Sequence, residues 1–364
     1  MEVGQITYSR LYNQQISSHE SSLPEEVVGR LGAIQAQDYQ ASLWAIGMRC
    51  KDPSLKKVEQ AIAQCKIVRT WPLRHTLHFV SPSDIRWMLD FYPNETIPKY
   101  QRKNGLTEEI LERGLKLIFN AFERKDRFTY SEMHKALDNS GIPALDKNDV
   151  QRHIIRRAGR GGLICFGPHS EKKPTFMLLE KWVPRIDDVK REHALGELTE
   201  KYFLSHGPAT IQDFMWWSGL RTSDAKSGID NAMPKLRSEK IRDEVYYMPK
   251  REARIENGDG VYLLPAFDEY LVGYKDRSAM LTDKNIQKML KSGKIRFTHS
   301  NGIFLPTIVM DGQVVGTWKR NLDKGRATIT LTPFVRFTSE QIKSIKSAVE
   351  RYGAFLRTDV TLRL

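Results

Sequence analysis

KNDVQRHIIRRAGRGGLICFGPHSEKKPTFMLL, residues 147–179, changes character partway along. Its first fourteen residues read as a helix; GGLICFGPHSEKKPTFMLL then reads as strand, polar turn and strand. Upstream, Leu111, Leu115, Ile118 and Phe122 fall on one face of another helix. FTYSEMHKAL follows it, with Thr129 and Glu132 spaced as a capping box. Three helices followed by a β-hairpin is the winged-helix plan, a variant of the helix-turn-helix.

The same plan recurs on both sides. In the first segment, Val27, Val28, Leu31 and Ile34 share a helical face. Leu43, Trp44, Ile46 and Met48 fit a second helix, and Lys56 to Cys65 a third. IVRTWPLRHTLHFV then alternates and turns near Pro72 and Leu73, as a hairpin. In the third segment, a helix through Ala194, Leu198, Tyr202 and Phe203 ends at Gly207-Pro208. ATIQDFMWWSGL, a helix from Ser223 to Leu236 and a strand from Val245 to Met248 complete it.

Ser81-Pro82-Ser83-Asp84 opens a linking helix, with Ser81 as cap, and FYPNETIPKY is a connector. Beyond about residue 255 the chain reads as strands: VYLLPAFDEYLVGY, GIFLPTIVMDGQVVGTW and ATITLTPFVRF. Asp311-Gly312 marks a tight hairpin turn, and a helix from Ser339 to Tyr352 precedes the closing strand DVTLRL. The expected fold is therefore α+β. Winged-helix units occupy 1–105 (with the connector), 106–188 and 189–255, and a β-rich domain with one packed helix occupies 256–364.

The 364 residues are 40% hydrophobic and 28% charged, ordinary for a globular protein, but carry a net charge of +13. Such an excess points to a polyanionic partner, usually nucleic acid. No apolar run reaches the roughly 18 residues of a membrane span, and MEVGQITYSR lacks the apolar core of a signal peptide. Cys50, Cys65 and Cys165 contain no CxxC pair and read as free thiols in a reducing cytoplasm. There is no HExxH or Gly-rich phosphate loop, and GRGG at Gly159 to Gly162 reads as a cap and turn. Neither a metal nor an organic cofactor is expected.

The positive charge clusters on the second segment. Arg152, Arg156, Arg157 and Arg160 are spaced so that most fall on one broad helix face, and Lys172 and Lys173 sit at the following hairpin tip. Such a face suits phosphates, which give affinity without sequence reading. In the first hairpin, Arg69, Arg74 and His75 mix with Trp71 and Leu73. Bulky and cationic side chains at a tip suit a groove or a disrupted base pair, although Trp71 and Leu73 fit a small core under a loop equally well.

Between the first two helices of the chain lies LGAIQAQDYQASLW, with Gln35 and Gln37 two residues apart. In a regular helix they would diverge; Asp38, placed to cap the next helix, puts them in a turn. There they either cap backbone groups or jointly hold one small object. Glutamine is no general base at neutral pH, yet it orients water by donating and accepting hydrogen bonds. That suffices where the leaving group is already good, as with a purine alkylated on N7, whose positive charge weakens its glycosidic bond.

The chain resembles the AlkZ/YcaQ-like winged-helix DNA glycosylases, which remove bulky alkylated bases and unhook interstrand crosslinks. The resemblance spans almost the whole chain. It is carried by AIQAQ (Ala33–Gln37), RTWPLRHTLHFV (Arg69–Val80), LPAFDEYLVGYKDR (Leu264–Arg277) and VVGTWKR (Val314–Arg320). It implies three tandem winged-helix units and a β-rich domain in a concave, C-shaped body on duplex DNA. Gln35 and Gln37 would be catalytic, in the QxQ form of the AlkZ branch; the YcaQ branch has aspartate at the second place. The first hairpin would enter the DNA near the lesion, and His75 stands where relatives are expected to carry glycine.

Two readings of FDEY remain open. Asp268 and Glu269 either stabilise an oxocarbenium-like sugar or pair with Arg277 or Lys275 to hold a loop. The expected activity is removal of 7-alkylguanine-type lesions, by a cytoplasmic, nucleoid-associated monomer. The alternative is a non-catalytic winged-helix protein, a transcription regulator or DNA-bridging factor, since fold does not imply function.

Overall fold

A computed structural model describes residues 3–92, 96–138, 147–185, 188–251, 260–291, 305–323 and 325–363. Pro93–Glu95 of the expected connector and Gly302–Phe304 of the expected strand GIFLPTIVM lie outside these. The chain is mixed α+β and forms two compact units, residues 1–59 with 192–364, and residues 60–191. The helices and the hairpin of the first expected repeat thus belong to different units.

The first unit opens with α1 (Val3–Asn13), α2 (Pro24–Leu31), the short strand β1 (Ala33–Gln35) and α3 (Tyr39–Gly47). Glycine at position 32 lets the chain leave α2, with φ of +77° and a side-chain-free approach to Lys201 Cβ, 3.3 Å from where a Cβ would stand. Asp38 caps α3 as the sequence predicts, its carboxylate accepting the Ala41 N–H at 3.0 Å. The helix α4 (Leu55–Ala63) then leads out of this unit.

The second unit holds the hairpin β2 (Val68–Leu73) and β3 (Thr76–Val80), then α5 (Ile85–Leu89), α6 (Lys99–Lys103) and α7 (Glu108–Ala121). It continues through β4 (Phe128–Thr129), α8 (Tyr130–Ala136), α9 (Lys147–Arg160), β5 (Ile164–Ser170), β6 (Lys173–Leu178) and α10 (Leu179–Trp182). Its strands lie in the order β3-β2-β5-β6-β4. The Thr129/Glu132 capping box forms at the start of α8. Leu111 and Ile118 of α7, Ile154 and Ala158 of α9, and Phe166 and Phe176 of the sheet make one core. Two local expectations move. The linking helix starts at Ile85 rather than beside Ser81, and the first hairpin turns at Arg74-His75 rather than Pro72-Leu73.

That hairpin turn has φ of 49° at Arg74 and 58° at His75. Positive φ at both central residues matches the twist of a two-residue hairpin, whatever side chains carry it. Pro72 lies inside β2, where the register shifts between Thr70 and Leu73; lacking an N–H, proline is tolerated at such an irregularity.

The chain returns to the first unit with α11 (Arg191–His206), β7 (Ala209–Thr210), α12 (Ile211–Ser218), α13 (Thr222–Ala232), β8 (Leu236–Ile241) and β9 (Glu244–Pro249). The helix expected to reach Leu236 stops at Ala232, and Leu236 begins a strand. Then come β10 (Val261–Leu264), α14 (Glu269–Val272), α15 (Asp283–Lys291), β11 (Thr307–Met310), β12 (Gln313–Asp323), β13 (Arg326–Pro333), α16 (Ser339–Leu356) and β14 (Val360–Arg363). A sheet in the order β10-β11-β12-β13-β14 carries α16 against β10 and β14. Asp311-Gly312 makes the expected turn, with φ of 52° and 74°. The FDEY segment, expected in a strand, instead forms the single helical turn α14 capped by Asp268.

Candidate active site

Gln35, 7% exposed, ends β1, and Gln37 follows on an exposed bend before α3. The backbone N–H of Gln35 donates to Glu269 Oε1 at 2.7 Å. Glu269 is buried, and its other oxygen accepts the indole N–H of Trp217 at 3.0 Å. His206 Nε2 lies 3.5 Å from that oxygen, stacked on Tyr202. Burial holds the pKa of His206 below its ordinary value, against the opposing pull of Glu269. Trp217 is supplied by α12, which Thr210 and Asp213 start with a reciprocal capping box.

The side-chain Oε1 of Gln35 is buried and finds no hydrogen-bond partner among the described residues. A buried amide oxygen without a partner costs about 1–3 kcal/mol, so its retention asks for a functional reason.

Asp268 anchors the far end of the same segment. Its two oxygens take Nη1 and Nη2 of Arg49 at 2.9 Å each, in a fully buried bidentate pair. Arg49 further donates to the carbonyls of Gln14 and Ala45 and to Gln14 Oε1. Adjacent carboxylates thus hold the two ends of the stretch from Gln35 to Arg49. This corrects the expectation that Lys275 or Arg277 would pair with them. The N–H groups of Lys275 and Asp276 donate to Asp213, and Arg277 Nε donates to the Leu271 carbonyl.

Beside the bend opens a cleft of about 540 Å³. Asp38, Ala41, Trp44, Pro265, Trp318 and Arg320 line it, so two of the four sequence motifs, Leu264–Arg277 and Val314–Arg320, contribute to its wall next to the helix that follows Gln37. Trp44 and Trp318 are fixed by indole N–H bonds to the carbonyls of Leu263 and Leu264, at 2.7 and 2.8 Å.

The basic residues singled out in the sequence fall in the second unit, and they part company. Arg152 and Arg156 are exposed on α9, Arg152 pairing with Asp149 at 3.1 Å, while Arg157 and Arg160 are half-buried. Arg160 Nη2 reaches the His75 carbonyl at 3.4 Å, which brings the end of α9 to the Arg74-His75 tip. Burial first, then Arg156, Arg157 and Arg160, push the pKa of His153 down to about 4.

Arg69 and Trp71 are not at the tip. Arg69 is 8% exposed with its guanidinium 4.6 Å from the Phe166 ring centroid, and Trp71 is 6% exposed within the core. Gly159 is what admits Trp71: a Cβ there would stand 2.1 Å from the indole. At the expected cap and turn of 159–162, Gly159 is still inside α9 and makes this packing contact, while the helix ends at Arg160 and turns through Gly161-Gly162, with φ of +72° at Gly162 and the Leu163 N–H donating to the Ala158 carbonyl at 2.9 Å.

Lys172 and Lys173 are exposed as expected, but β2 and β5 run antiparallel, so the two hairpin tips point opposite ways. At about 3.3 Å per residue the tips stand on the order of 30 Å apart.

Sequence reading missed the link from Gln35 to Glu269 and Trp217. The partners lie 234 and 182 positions away, and no local spacing signals them. Among the described residues, no cluster of three or more His, Cys, Asp or Glu is placed to hold a metal ion, and no helix is long and apolar enough to cross a membrane.

A Streptomyces sahachiroi protein, an interstrand DNA cross-link repair glycosylase, is 24% identical over 353 residues, covering 86% of this chain and 87% of the relative. The solved structure of the Streptomyces sahachiroi DNA glycosylase AlkZ shares the fold, with a TM-score of 0.79 over 100% of this chain and 99% of that one at 20% identity. The profile of the DNA glycosylase AlkZ-like family matches residues 28–355, and the chain belongs to that family.

Proposed function

We propose that this DNA glycosylase excises 7-alkylguanine-type lesions from duplex DNA and unhooks interstrand crosslinks, with Gln35 and Gln37 holding the attacking water. The observation that carries the proposal is the buried Oε1 of Gln35, an acceptor without a partner among the described residues, at the end of a strand fixed from behind. An amide acceptor orients water without removing its proton. Alkylation at N7 supplies the rest. As the C1′–N9 bond breaks, its electron pair neutralises the purine cation. Water oxygen bonds to C1′ and its proton passes to solvent, leaving an abasic sugar and a neutral 7-alkylguanine. The crosslink-repair relative supports the bulky end of this substrate range.

Three helix–hairpin repeats, the segments 1–105, 106–188 and 189–255 read from the sequence, serve in this proposal as winged-helix DNA-binding units, with 256–364 as a β-rich domain. Arg74, His75, Arg152, Arg156, Arg157, Arg160, Lys172 and Lys173 contact the duplex, while Arg69 and Trp71 support the core beneath. The three repeats differ from one another, so one chain suffices for one site, and the protein acts as a monomer on the cytoplasmic nucleoid.

Duplex DNA carrying a single 7-methylguanine, or a nitrogen-mustard crosslink, tests this without added metal. Alkali-labile sites are expected with the wild type. Gln35→Ala and Gln37→Ala are expected to lower the single-turnover rate by about 100-fold or more, with DNA binding kept. Tight binding without product on either lesion would return the chain to the class of DNA-binding proteins.

A further inference from the structure

We propose that Glu269 is a positioning residue for Gln35: its buried carboxylate, fixed by Trp217, holds the Gln35 backbone so that the amide stays on the water-binding line. This rests on the glycosylase reading above. Both carboxylate oxygens are occupied, Oε1 by the Gln35 N–H at 2.7 Å and Oε2 by the Trp217 indole N–H at 3.0 Å. At 1% exposure, Glu269 is covered by the protein and acts on the reaction through the strand it holds. A charge-assisted bond from backbone to carboxylate is short and directional. It fixes the residue whose own side-chain oxygen is left without a partner among the described residues. Trp217 and His206 are themselves fully buried, so the support is rigid. Oriented catalysis is sensitive to this kind of support, because a displacement of about 1 Å costs about 100-fold in rate.

The full-length protein tests the assignment with three readouts: single-turnover base release from 7-methylguanine duplex, DNA affinity, and hydrogen exchange at the Gln35 amide. Glu269→Ala is expected to release base about 100-fold more slowly with unchanged DNA affinity, and to lose protection at the Gln35 amide. Glu269→Gln keeps an acceptor for Gln35 but sets an amide N–H against the Trp217 indole N–H. Adding Trp217→Phe removes that conflict, and the double variant is expected to recover to within about threefold of wild type.

A folded Glu269→Ala protein that cleaves at the wild-type rate would overturn the assignment. So would a double variant that keeps Gln35 protected yet stays as slow as Glu269→Ala, because the negative charge, not the held strand, would then matter. If Glu269→Ala fails to fold, the double variant and Trp217→Phe alone still decide. If the wild type releases no base at all, the glycosylase reading fails, while exchange at Gln35 still reports whether Glu269 holds it.

Discussion

Asp268 and Glu269 are neighbours in sequence with separable consequences. Asp268 meets Arg49 in a buried bidentate pair whose guanidinium also serves three other acceptors. Removing one member of such a pair strands the other charge, at a cost of about 3–5 kcal/mol. Asp268→Ala is therefore expected to lower the denaturation midpoint sharply, and to lower base release only as far as the folded fraction falls. A urea titration beside a single-turnover assay checks this; a stable Asp268→Ala protein with a slow chemical step would place Asp268 in the reaction. The type and order of FDEY were legible in the sequence, but the partners were not. Arg49 lies 219 positions from Asp268, and pairing within the motif was the nearer expectation because Lys275 and Arg277 were at hand.

At the scale of elements, the legible features are those set within a few residues. The Thr129 and Asp38 caps, the Asp311-Gly312 turn and the boundaries of α9 all depend on bonds over three or four positions. Trp71 shows the limit. Its place between cationic residues near a hairpin tip suggested a DNA contact, yet a register shift in β2 and a glycine 88 positions away put the indole into the core. What α9 leaves outside is the basic face. Arg156 is exposed and makes no ion pair among the described residues, whereas Arg152 is paired with Asp149. Replacing Arg156 with alanine is expected to weaken binding to any duplex and to reduce the slope of log affinity against log salt by about 1. Arg152→Ala is expected to do less, because Asp149 already takes part of its charge. Equal effects would show that Arg152 leaves Asp149 for a phosphate on binding.

The whole chain carries +13, while the groups proposed to do the chemistry are neutral amides. The sequence announced the charge, but not that the helices and hairpin of the expected first repeat would belong to different compact units, because the helices pack with residues beyond position 191 whereas the hairpin pairs with β5, Arg69 opposite Phe166. Charge and chemistry therefore separate in their response to salt. Phosphate contacts release counterions, so each contributes about −0.9 to the slope of log affinity against log salt on duplex DNA. If Arg74, Arg156, Arg157, Arg160, Lys172 and Lys173 each engage one phosphate, affinity falls on the order of 1,000-fold between 50 and 200 mM salt. Water held by glutamine amides has no such dependence. Under saturating protein, the single-turnover rate on a 7-methylguanine duplex is expected to stay flat over the same range while affinity collapses. A rate that falls in parallel at saturation would mean that a charged group, screened by salt, takes part in the chemical step, and the glutamine mechanism would give way to one built on that group.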